Sequence, residues 1–417
     1  MGFKGNYLKL IEDEFSASKI IKERQRKMSL YGDEILNHIR TTNQTDALKQ
    51  GISLIQKCLQ YLDNAGIPLD QADPGHGQGH LVRDYVNAIL LLSKLDTNPK
   101  NIFLGIVSGT LHDIACQFIR RYDDKERLIQ HPECGGILIN MIFEEIDALN
   151  EWERFAIVHG IDAHQHRLTK KSKMFIKKYS SSRVELTIEV YKDEDKYGNP
   201  YLFMWIPRWI DRLDLIGPGF VGRHFLTLVE DHYDFDGKNF FKVSFVNHMK
   251  PVLEKIDGNR TMLQHIEMFH LSQSDSSKPY GKHDFGAMIE IRDSYNSALG
   301  KIIEAVKNPA TYTEKERKNI IDAWFFFLEN NIEPTLKGEE ASQYLKKGFL
   351  LLDEKTQNHW IHGFHVCMEE YELWANSMIF FLNNHIPDEW LKLCPITDDV
   401  CDFIRPKEIW TNLLHLI

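Results

Sequence analysis

The sequence has no CxxC pair, no internal repeat, no low-complexity tract and no excess of basic residues. Its six cysteines, Cys58, Cys116, Cys134, Cys367, Cys394 and Cys401, are scattered. That pattern excludes a zinc ribbon and a thioredoxin-like motif, and it argues against a disulfide framework. The net charge of −10 over 417 residues excludes nucleic-acid binding through overall charge, while leaving room for a local basic patch. No apolar run is long enough to predict a bilayer-spanning helix. The N-terminal stretch "MGFKGNYLKLIEDEF" lacks the apolar centre of a signal peptide. Gly2 is present, but Asn6 stands where a myristoylation motif wants Ser or Thr. The expectation is a soluble, cytoplasmic protein.

What is present is helical patterning and a great deal of histidine. Hydrophobic residues make up 43% of the chain, enough for a sizeable core. "TDALKQGISLIQKCLQYLDNAG" has apolar residues at helical spacing and closes on Asn64-Ala65-Gly66, a helix end. "GHLVRDYVNAILLLSKL", "NIFLGIVSGTLHDIACQFI", "PECGGILINMIFEEI" and "EWERFAIVHGIDAH" predict four more helices, and "IPRWIDRLDLIG" another. Between the last two, "VELTIEVY" alternates with period two and "YLFMW" follows a turn-like "KYGNP", which predicts a β-hairpin. Beyond residue 235, "TEKERKNIIDAWFFFLEN" and "NHWIHGFHVCMEEYELWANSMIFFL" again predict packed helices. The expected architecture is mainly α, in three parts. An N-terminal helical region covers 1–72, a core covers 73–235 with a basic segment and hairpin at about 166–205, and a C-terminal helical region covers 236–417.

Seven of the 19 histidines fall between residues 76 and 166: His76, His80, His112, His131, His159, His164 and His166. Two of the costliest residues to bury, His112 and Asp113, stand side by side in the apolar run "SGTLHDIAC". A buried carboxylate needs a compensating charge. A divalent cation would supply it and would favour the neutral form of His112. His80 and Asp211 each lie in another apolar-rich helix, and with the pair they make a mixed N/O ligand set. That set suits Mn, Fe, Co, Ni or Mg better than structural zinc. The bland alternative is a histidine–aspartate hydrogen bond inside a core.

In order along the chain, "GHGQGHLVRDYV", "TLHDIAC", "VHGIDAH" and "DRLDLIGPGFVGR" resemble the motifs of HD-domain metal-dependent phosphohydrolases. The likeness is closest to small bacterial HD hydrolases whose last motif reads DADRLDAIGAIGIAR. It covers roughly residues 73–230. Two positions depart from the pattern: Asp84, where Val usually follows Arg83, and Trp209, in place of the first acid of DAD. The resemblance implies an HD-type helical bundle that holds one or two divalent ions. His80, His112, Asp113 and Asp211 would bind the first, and His131 and His159 are candidates for a second. The implied activity is hydrolysis of a nucleotide or other phosphoester, mono- or diester, by metal-activated water. Asp113, His159 and His164 would take the catalytic roles, and Arg83, Arg212, Arg223 and His76 would contact the substrate. Each arginine has a structural salt bridge as its alternative.

The same residues admit other readings. Some HD-fold proteins are diiron oxygenases. The "HGQGH" pair His76 and His80 also resembles the start of SidE-type phosphodiesterase domains, which act on a modified protein with histidines and a glutamate rather than a metal. A non-catalytic nucleotide- or partner-binding module is a further alternative. Residues 166–183 carry seven Lys/Arg and no acid, either a solvated insertion or a basic rim for a phosphate-rich ligand or polynucleotide. His359, His362 and His365 with Glu369 form a lesser candidate ligand cluster at helical spacing. The expected partner is a small phosphorylated substrate, with a homo-oligomer compatible and nucleic acid not favoured.

Overall fold

A computed structural model describes chiefly residues 2–13, 37–67, 76–94, 98–118, 131–164, 206–214, 300–331 and 343–394, leaving out some positions within these ranges. Among these residues the protein is mainly α-helical and contains no strand. The helices are α1 (Phe3–Glu12), α2 (Gln44–Asn64), α3 (Gln78–Lys94), α4 (Pro99–Leu111), α5 (His131–Ile146), α6 (Glu151–Asp162) and α7 (Ile206–Asp214). Three more follow: α8 (Glu314–Asn331), α9 (Glu354–His385) and the single turn α10 (Asp388–Leu391). The expected hairpin, the basic segment and Arg223 lie outside the described residues.

Local chemistry sets the helix limits. Asn43 begins α2 by accepting from the Asp46 amide at 2.9 Å. Asn98 does the same for Asn101 at 3.0 Å, with Pro99 in the first turn of α4, where its missing N–H costs nothing. Asn150 and Glu153 cap α6 reciprocally: the Glu153 amide donates to Asn150 Oδ1 and the Asn150 amide to Glu153 Oε2. Arg40 then closes on the same Glu153 carboxylate at 2.6 Å, tying the segment before α2 to the start of α6. The predicted end of α2 is seen at Gly66, whose φ of +70° suits glycine.

Helix α4 is the axis of the assembly. All residues from Asn101 to Leu111 are buried, and α2, α3, α6 and α7 pack around it. The small residues of "LGIVSGT" explain how α7 comes so close. A Cβ on Gly105 would lie 2.6 Å from Ile206 Cδ1, and one on Gly109 would lie 2.3 Å from Ile210 Cδ1. Both contacts are far inside van der Waals range, so the two glycines form a notch that seats one face of α7. One buried hydroxyl is satisfied within the helix, where Ser108 Oγ donates to the Leu104 carbonyl at 2.7 Å.

In the C-terminal region α8 packs on α9 through aromatic rings. Trp324 stacks on Phe364 with centroids 4.2 Å apart, and Trp360 lies 5.3 Å from the same ring. Helix α9 has 32 residues, a length of about 48 Å at 1.5 Å per residue. The turn α10 reaches α2. No described helix is long and apolar enough to cross a membrane.

Candidate metal centre

The expected helix through "SGTLHDIAC" is broken where the chemistry is densest. Helix α4 ends at Leu111, His112 caps it, and Asp113 adopts φ −99° and ψ 12° before a 3-10 turn over Ile114–Gln117. The break matters for aim. Inside a helix, neighbouring side chains diverge by about 100°. Asp113 instead turns its carboxylate into the space between α3, α5 and α7, facing residues from each. The Cys116 amide donates to the Asp113 carbonyl at 2.9 Å and steadies the turn.

His80, His112, Asp113 and Asp211 are all buried, and each offers one donor atom such that all four atoms lie within 4.8 Å of one another. The structure therefore gathers the four residues first suggested as one ligand set from three separate helical segments. The notch at Gly105 and Gly109 has a direct role here. By admitting α7 against α4, it brings Asp211 to 4.0 Å from His112 Nε2.

The histidine protons are fixed by their other partners. His112 Nδ1–H donates to the Gly109 carbonyl at 2.7 Å, which leaves Nε2 as a lone pair. That Nε2 is buried without a hydrogen-bond partner among the described residues, facing Asp113 Oδ1 at 3.5 Å and Asp211 Oδ1 at 4.0 Å. Burial pushes the His112 pKa down to about 3, against the pull of Asp113, so the ring is neutral near pH 7. A lone pair facing two carboxylates is repulsive unless a cation lies between them. His80 repeats the theme. Its Nδ1 is 2.7 Å from Asp214 Oδ2, while its Nε2 is 3.0 Å from Asp113 Oδ2 and 3.1 Å from Asp84 Oδ2. With Nδ1–H given to Asp214, Nε2 must meet these oxygens through a proton or a metal ion.

Asp113 is the hub. Its Oδ1 faces His131 Nε2 at 3.0 Å and His164 Nε2 at 3.3 Å, and its Oδ2 faces His80 and, at 3.9 Å, His76. Burial opposes its ionisation, but His112, His131 and His164 outweigh burial and hold its pKa well below the usual carboxylate range. Asp84, Asp211 and Asp214 are buried beside it, with Arg83 Nε on Asp214 Oδ1 at 2.6 Å. Four buried carboxylates gathered around four buried imidazoles, His80, His112, His131 and His164, call for added positive charge, which fits a divalent cation.

A second group forms from Asp113, His131 and His164. His131 is the first residue of α5, and His164 lies just past α6, its Nδ1–H donated to the Ile161 carbonyl at 2.8 Å. The Nε2 atoms of the two rings are 3.2 Å apart. His164, expected in a catalytic role, thus takes the place beside His131 that the resemblance assigns to His159. His159 is buried in α6 with its ring stacked on Phe155, and it joins none of the described groups of converging donor atoms. Arg83 is engaged by Asp214 through both Nε and Nη2. His76 stands at the edge, more exposed than the rest. The backbone of Arg212 belongs to α7, but its side chain is outside the described residues.

Sequence reasoning missed three participants. Asp84 registers there only as a departure from a motif, yet it is one turn from His80 and buried against it. Asp214 is the second acid of "DRLD", one turn from Asp211, and it holds His80 and Arg83 together. Cys116, three residues after Asp113, converges with Asp113 and His76. The signal for the first two is an i+3 or i+4 spacing from a named ligand on a helix. No family model matches the chain, and neither a curated protein nor a solved structure does.

Proposed function

We propose that the protein is a metal-dependent phosphohydrolase acting on a nucleotide or another phosphoester. The observation that carries this reading is the inward-facing His112 Nε2, a neutral, buried lone pair enclosed with His80, Asp113 and Asp211. His80, His112, Asp113 and Asp211 would hold the ion. When bound, a divalent ion supplies hydroxide from water near neutral pH and offsets charge on a phosphoryl oxygen.

The chain's own residues prepare that chemistry. The Gly109 carbonyl keeps the proton of His112 on Nδ1, so the metal-facing nitrogen stays basic. Asp214 does the same for His80, and Arg83 fixes Asp214 in turn. Arg83 is therefore a positioning residue in this reading, rather than the phosphate clamp first expected. His131 and His164 face the other oxygen of Asp113, where they would bind a second ion or donate a proton to a leaving oxygen. His76, at the exposed edge, is placed to meet substrate, and the basic segment 166–183 follows His164 directly in sequence.

The test is elemental analysis of the purified full-length protein, followed by a phosphoester panel with Mn, Co, Ni, Fe and Mg. Bound metal and product release, both lost in Asp113→Ala, are the expected outcome. Hydrolysis that survives strong chelation would sink the metal mechanism and return the SidE-like reading. Oxygen consumption with bound iron, without hydrolysis, would establish the oxygenase reading instead.

A further inference from the structure

We propose that His76, Asp113 and Cys116 form an additional metal position at the edge of the cluster, selective for thiophilic divalent ions such as Zn2+. The proposal rests on Asp113 being a metal ligand, as in the reading above, and adds a soft ligand to it. One donor atom from each of the three residues lies within 4.8 Å of the other two. His76 Nε2 is 3.9 Å from Asp113 Oδ2. Ligand atoms around a tetrahedral zinc stand about 3.3–3.8 Å apart, given metal–ligand lengths of 2.0–2.3 Å. The gap is close to what an ion would span with small rotamer shifts.

Backbone geometry holds the three together. Cys116 is buried on the 3-10 turn that Asp113 begins, and it is not in a disulfide. The next residue, Gln117, donates its side-chain amide to the His76 carbonyl at 3.4 Å, linking the segment before α3 to that turn. The three donors are one thiol, one imidazole and one carboxylate. Three protein ligands with room for a water is the pattern of an open zinc site, whereas Mg2+ and Mn2+ do not select sulfur. On binding, the Cys116 S–H bond breaks, its proton passes to solvent, and the thiolate pair forms the bond to the ion. Because Asp113 is shared, an ion at this edge draws on the same carboxylate as the inner centre. Excess Zn2+ therefore inhibits where excess Mg2+ does not.

The experiment titrates metal-stripped full-length protein with Co2+, read by absorption, and then competes with Zn2+. The expected result is a near-ultraviolet thiolate-to-cobalt band that Zn2+ removes and Cys116→Ser abolishes. His76→Gln, at the exposed edge, weakens Co2+ binding in that band about tenfold or more with the fold intact by circular dichroism. Cobalt bound with visible ligand-field bands but no thiolate band overturns this proposal and leaves the phosphohydrolase reading standing. A thiolate band that persists in Cys116→Ser also overturns it, since another cysteine then holds the ion. Failure to bind Co2+ at all overturns both.

Discussion

The core helices and the C-terminal helices are both rich in histidine, yet they use it in opposite ways. Around α4, histidines are buried, aimed inward and crowded upon one carboxylate. On α9, His359, His362 and His365 each have a separate partner. His359 Nδ1 bonds the Lys355 carbonyl at 2.9 Å, His362 Nδ1 meets the Tyr312 hydroxyl at 2.9 Å, and His365 Nδ1 lies 3.4 Å from Glu369 Oε1. The α9 set appears in none of the described groups of converging donors. Helical spacing alone put both sets in contention. Convergence of several chain segments on one point separates them, because one helix face cannot surround an ion.

That contrast can be broken or sharpened by substitution. The largest effect is expected at the hub. Asp113→Ala or His112→Ala should lower metal affinity by at least about 100-fold, measured by metal content after dialysis, with activity lost in parallel. Next comes Asp214→Asn, which leaves the four donors in place but exchanges the charged acceptor on His80 for a neutral amide and breaks the ion pair with Arg83. Affinity should fall by about 10–100-fold, the usual range for outer partners of a metal ligand. Gly109→Ala acts through packing. The added methyl collides with Ile210, so unfolding free energy should drop by about 1–3 kcal/mol in denaturant titration.

Acid gives a fourth comparison. His112 has a native pKa near 3, below its ordinary value of about 6.5. Between those values the unfolded chain binds a proton that the native site refuses, so stability falls as pH falls through that window. The depressed pKa of Asp113 acts in the same direction at lower pH, since its stabilisation is lost as the native carboxylate protonates. Denaturation midpoints of the metal-free protein should drop from pH 7 toward pH 4, with a shallower slope in His112→Gln. The smallest effect is expected on α9. His365→Ala should leave metal content unchanged and alter stability by about 1 kcal/mol or less, since its partner Glu369 is solvent-exposed. Metal loss in that variant would erase the distinction between the two regions.

Much of this was legible in the sequence, for identifiable reasons. Apolar periodicity marks α2 through α6, and the buried apolar run that holds "LGIVSGT" marks α4 as a helix of the core. The four-residue set His80, His112, Asp113 and Asp211 can be named from motif order. Its aim cannot, because that depends on the helix ending at Leu111 and on how deeply α7 seats. The exchange of His159 for His164 beside His131 has a similar cause. Both lie near the end of α6, and which one faces Asp113 depends on where that helix stops. Arg83 reads equally well as a phosphate clamp or as a salt-bridge partner until Asp214 is seen against it. The three-part division of the chain stays a proposal.

The hydrogen bond between His80 and Asp214 joins residues 134 positions apart. Its consequence concerns order in time. Closing so long a loop comes late for a chain that folds by accumulating contacts, since local helices form long before distant segments meet. The seat of α7 against Gly105 and Gly109 joins segments about a hundred positions apart, so it depends on long-range closure, and Asp211 and Asp214 depend on it too. An ion held by Asp211 would require α7 docked against α4, so metal retention would report a completed core and not merely a helical one.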